Sequence, residues 1–154
     1  MKLIILLSCC LLTKAGELNV DLSLLLRALD GQVSKQLKLQ GVLNENKLFQ
    51  GILLYNRTLN YIIQLAKKQD ERAIVPGKAL YKKGGPQFLN IKHDQMNIKF
   101  RFDWSLTEYH NLLEKLDETK VLWEEFIKTY LRNTPWFLYG QTKEESENKE
   151  KKTQ

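Results

Sequence analysis

Few residues of this 154-residue chain have the types and spacing that chemistry asks for. Its two histidines are His93 and His110. A catalytic imidazole needs an oriented partner and a nucleophile or metal within reach. Asp94, beside His93, does not supply one, because consecutive residues of a strand face opposite sides. His110 follows Tyr109 in a helical pattern and reads as a surface or boundary residue. Glu124 and Glu125 are adjacent on the same pattern, where neighbouring side chains diverge by about 100°, so the pair reads as solvated charge rather than an acid and a base. HExxH, GxSxG, the P-loop and the glycine-rich dinucleotide turn are all missing, and with them the support for the common signature-bearing enzymes. No catalytic, metal-binding or cofactor-binding residue is expected.

Cysteine chemistry depends on the N-terminus. Cys9 and Cys10 both lie within MKLIILLSCCLLTKAG, where one cation, an apolar run from Leu3 to Leu12 and the small residues Ala15 and Gly16 follow one another. That is the secretory signal pattern, too short for a membrane span of about 20 residues. LLSC before Cys9 loosely resembles a lipobox, but the apolar run continues past it. The expectation is a signal peptide over residues 1–15, cleaved after Ala15, and a secreted chain without a membrane span. A mature chain lacking cysteine has no disulfide, thiolate zinc site or cysteine nucleophile.

Binding residues are more plentiful. Between positions 67 and 101 nine cations face only Asp70, Glu71 and Asp94, whereas the whole chain carries a formal charge of +6. Lys78, Lys82, Lys83, Lys92, Lys99 and Arg101 are the candidate basic docking patch, suited to an anionic protein, glycan or lipid surface. Within it NIKFRFDW, residues 97–104, interleaves aromatics with cations as a base-stacking platform does. In a strand, however, Met96, Ile98, Phe100, Phe102 and Trp104 share one face and the cations the other, which makes the aromatics a core face. A nucleic-acid partner is not expected. NRT at 56–58 is a glycosylation sequon, with Asn56 set toward the apolar side of its helix.

The elements that must carry these residues follow from periodicity. Leu22, Leu25, Leu26, Leu29, Val33 and Leu37 predict an amphipathic helix over about 19–40, with Asp30 assigned to another face. Leu48, Ile52, Tyr55, Leu59, Ile62 and Ala66 alternate steps of four and three, the a/d pattern of a coiled coil or shallow helix crossing, and predict a second helix over about 46–69. Pro76–Gly77 and KKGGP at 82–86 read as breaks. Residues 87–104 read as a β-hairpin turning near His93, Asp94 and Gln95. Ser105 with Glu108 forms a capping box that opens a third helix over about 105–133, with a stripe of Leu106, Tyr109, Leu113, Leu116, Lys120, Trp123, Ile127 and Tyr130. WFLYG beyond it folds back as a lid.

The expected fold is therefore mainly α with an inserted hairpin, an α+β domain over residues 16–140 with a disordered charged tail over 141–154. The apolar fraction of 43% and charged fraction of 27% suit a globular chain. The function expected is that of a small secreted, non-enzymatic binding protein acting through surface contacts. A carrier of a hydrophobic small molecule and an enzyme without a recognisable motif are the alternatives.

Overall fold

The computed structural model describes residues 21–40, 43–92 and 94–139. The segments read as a signal peptide and a charged tail, and His93, lie outside them. Helices account for the architecture: α1 Leu22–Leu37, α2 Glu45–Lys67, α3 Ile74–Lys83, α4 Gln95–Phe102, α5 Leu106–Arg132 and α6 Thr134–Tyr139, with single 3-10 turns at Glu71–Ala73 and Gln87–Asn90.

Each long helix begins where a side chain can satisfy the free first-turn amides. The Asp21 carboxylate accepts from the backbone N–H groups of Ser23 and Leu24 ahead of α1, and with the Ser23 hydroxyl these bonds hold its pKa below the ordinary carboxylate value. The Asn44 side chain accepts from Lys47 N at 2.9 Å ahead of α2. Ser105 and Glu108 close the expected capping box ahead of α5.

α2 is the central helix. Leu48, Ile52, Tyr55, Leu59, Ile62 and Ala66 are all buried, as are Asn56 and Ile63 on one flank of that stripe and Thr58 and Leu65 on the other. One side meets α1 and the other α5. Pairings with α1 run backwards along the chain: the Gln36 side chain accepts from Asn44 N, Gln32 donates to Lys47 O, and Val33 lies beside Gly51. The two helices form an antiparallel hairpin. Pairings with α5 and the residues leading into it run forwards instead, through Phe49 with Trp104, Asn56 with Thr119 and Lys67 with Glu125. α5 is therefore parallel to α2, and the chain between them must travel back along the bundle. That return carries α3 and α4, with α3 antiparallel to the second half of α5 through Tyr81 on Tyr130 and Gly85 on Trp123.

The β-hairpin expected over residues 87–104 does not form; among the described residues there is no strand. Residues 87–90 make a 3-10 turn and 95–102 make α4. Asp94, read as part of a hairpin turn, is instead a helix cap: its carboxylate accepts from Met96 N at 2.9 Å and from the Asn97 amide at 3.0 Å. At the other end Asp103 takes the left-handed conformation at φ 54°. Trp104 N then bonds to Lys99 O and Asp103 N to Phe100 O, the paired bonds of a Schellman stop. Caps at both ends, with eight residues between them, override an alternation that by itself suits a strand.

Pro76 and Gly77 likewise start a helix rather than break one. Pro76 is the third residue of α3, where a missing N–H costs nothing. Gly77 admits Phe137 so closely that a Cβ would lie 2.3 Å from its Cε1. With Trp136 and Phe137 buried, α6 closes over α3 and α5 as the expected lid.

Candidate functional site

α4 presents two apolar sides. Residues four apart share a side of a helix, so Ile98 and Phe102 go one way and Met96 and Phe100 the other. Ile98 is fully buried, and Phe102 stacks on Trp104 with ring centroids 4.7 Å apart. Trp104 is itself buried and lies 5.1 Å from Phe49 of α2. These contacts hold α4 on the bundle. Met96 is 71% exposed and Phe100 88%. Together they present roughly 300 Å² of apolar surface, the scale at which the largest patch on a monomer is often functional. Burying it is worth roughly 7 kcal/mol at 25 cal/mol per Å².

Cations border this pair. Lys99 and Arg101 lie on either flank of the Met96–Phe100 row, in the last turn of α4 where positive charge also complements the helix dipole, and Lys92 lies exposed just before the helix. Of the nearby carboxylates, Asp94 is engaged by the cap. Glu108 is engaged by Ser105, whose hydroxyl and backbone hold its pKa below the usual value. Asp103 is exposed.

The other cations of the basic patch, Lys78, Lys82 and Lys83, belong to α3. Lys83 forms an ion pair with Asp30, a residue only 1% exposed. Lys78 reaches the Leu138 carbonyl at 3.5 Å, and Lys82 stands exposed in the last turn of α3. Two other cations of the 67–101 excess are also paired, Lys67 with Glu125 and Arg72 with Asp70.

Asp30 belongs to the inner side of α1 and not, as expected, to another face. It lies four residues after Leu26 and three before Val33, within the buried stripe, and that spacing was the signal for it. Its carboxylate accepts from Lys83 and, at 3.1 Å, from Phe88 N. It thereby ties the 3-10 turn at 87–90 to α1. Burial first, and the Asp30 charge second, raise the pKa of Tyr55 above its ordinary value of 10.0. Tyr55 meets Phe88 edge-on at 5.1 Å. Asp30, Tyr55 and Phe88 are buried, and Lys83 closes the cluster from the solvent side.

Asn56 is 6% exposed, with Thr119 Oγ1 2.7 Å from its Oδ1. Its side chain faces α5, and its amide nitrogen is buried. His110 stands exposed on α5 with Tyr109 beside it, and Glu124 is exposed while Glu125 pairs with Lys67. Among the described residues no group of three or more His, Cys, Asp or Glu is placed to hold a metal ion, and no helix is long and apolar enough to cross a membrane. A shallow depression on the outer side of α1, lined by Leu24, Arg27, Ala28, Gly31, Gln32 and Lys35, opens to solvent.

The chain matches no protein-family model, no curated protein and no solved structure. The geometry of its own residues therefore carries the functional reading.

Proposed function

We propose that this chain is a secreted, non-enzymatic binding protein that acts by surface contact, with the outward side of α4 as its contact element. One observation carries the reading: Phe100 is 88% exposed on a helix already held by Ile98 and Phe102 on the opposite side. An exposed phenylalanine four residues from an exposed methionine contributes little to folding, and water disfavours both. Their place between Lys99 and Arg101 gives the surface an apolar centre and a polar rim, the anatomy of a contact site. Secretion is supported by the N-terminal sequence alone.

The test is the double substitution Met96→Ser with Phe100→Ser. The variant should keep the helical circular dichroism and melting temperature of the parent while losing whatever the parent binds when the two are cross-linked side by side in the fluid from which the protein is recovered. A variant that keeps the full set of bound partners sinks the proposal.

A further inference from the structure

We infer that the partner of the α4 surface is an anionic lipid bilayer. This rests on reading α4 as the contact element and names what that element meets.

Three features favour a bilayer over a protein. The first is size. A stable protein interface takes about 800 Å² from each partner, well above what Met96 and Phe100 present. An interfacial helix needs only a few apolar groups at the level of the headgroups, together with electrostatic attraction. The second is shape, for Met96 and Phe100 project from a short helix whose other side is packed on the bundle, so they form a ridge and not a groove. Eight residues make a helix about 12 Å long that can lie flat on a membrane with both side chains inserted. The third is charge. Lys99 and Arg101 flank the ridge, and their long stems can follow the apolar pair down while the charged heads stay among lipid phosphates. Lys92 adds a third cation before the helix.

The carboxylates refine the inference. Asp94 and Glu108 keep their negative charge within the helix caps, and Asp103, exposed at the C-cap, adds a third carboxylate that offsets the positive charge. Its removal should therefore tighten binding. Asparagine suits the left-handed conformation at that position, so Asp103→Asn leaves the Schellman stop intact.

The full chain is tested by co-sedimentation with phosphatidylcholine vesicles with and without phosphatidylserine, at low and high salt. Binding is expected only with phosphatidylserine and is expected to weaken with salt. Each cation near an anionic membrane contributes about 1 kcal/mol, so Lys99→Gln with Arg101→Gln should weaken binding about thirtyfold. Asp103→Asn should strengthen it several-fold, and Phe100→Ser should abolish sedimentation without changing the melt. A photo-crosslinking p-benzoylphenylalanine in place of Phe100 identifies the class of partner. Cross-links to lipid support the inference. No sedimentation with phosphatidylserine vesicles at low salt overturns it, and cross-links to a protein in that case leave the docking reading standing. If position 100 captures neither, both readings fall.

Discussion

Substituting Ile98 and Phe100 by alanine, one at a time, sets a core residue against an outward one only two positions away. Ile98 is 0% exposed, so truncation loses the transfer free energy of its side chain and leaves a cavity beneath α4, at a cost of about 2 to 5 kcal/mol. Phe100 keeps 88% of its surface in water. The covered remainder of a side chain that buries about 200 Å² when enclosed is roughly 25 Å², worth roughly 0.6 kcal/mol. Alanine returns about half a kcal/mol through its better helix propensity, so the net change for Phe100→Ala should lie within about 0.5 kcal/mol of zero. Urea denaturation separates the two, because Ile98→Ala should lower the midpoint at unchanged slope while Phe100→Ala should superimpose on the parent. A loss at Phe100 comparable to that at Ile98 would mean that the ring packs inside, as a strand-face reading demands, and would remove the basis for a docking surface on α4.

Lys83→Ala strands the Asp30 carboxylate inside the bundle and should cost about 3 kcal/mol; adding Asp30→Asn should recover part of it in a double-mutant cycle read by chemical denaturation. Thr119→Val removes the partner of Asn56 and should cost about 1 to 3 kcal/mol, and intact mass of folded protein from a glycosylating host should show Asn56 unmodified. Gly77→Ala forces Phe137 away from α3 and should cost about 1 to 3 kcal/mol, with α6 losing hydrogen-exchange protection before the rest of the bundle. The hydrogen-bonded Arg72 guanidinium holds the Asp70 carboxyl down to about 2 from its ordinary 3.8. Its folded pKa lies below the unfolded one, so its contribution is complete above about pH 4 and is lost as pH falls toward 2. Asp70→Asn should flatten that part of the acid limb in a melting-temperature series.

The long helices were legible because their cause is local and repeats many times. Alternating steps of three and four in α2 and the Ser105–Glu108 box ahead of α5 each specify an element without reference to the rest of the chain. Even so, the buried seam of α5 joins Tyr109, Leu116 and Tyr130 of the expected stripe to Leu112, Thr119 and Phe126 beside it, and leaves Leu106 49% exposed and Lys120 exposed. Periodicity gives a helix an apolar side several residues wide, and the neighbour it meets selects the line of contact. Asn56 and Thr119 show the same dependence, since a polar residue can enter the seam when its partner arrives from another helix.

For the short elements the local signals conflicted. Met96, Ile98, Phe100 and Phe102 alternate as a strand does, yet no second strand pairs with them among the described residues, and an unpaired strand leaves its backbone groups unsatisfied. Asp94 and Asp103 supply caps that let the same backbone bond to itself. That change of period sends Phe100 from the expected core face to solvent, and it creates the candidate site.

By itself the sequence determined that this is a mainly helical chain with three long amphipathic helices, caps at Ser105 and Glu108, and a surplus of cations between positions 67 and 101. Tertiary structure alone decided that α5 lies parallel to α2, that Asp30 is buried and paired with Lys83, and that Phe100 points outward between Lys99 and Arg101. The division has a physical reason: helix periodicity and caps act through bonds within a few residues, whereas burial and ion pairing depend on which distant surfaces fill the same space.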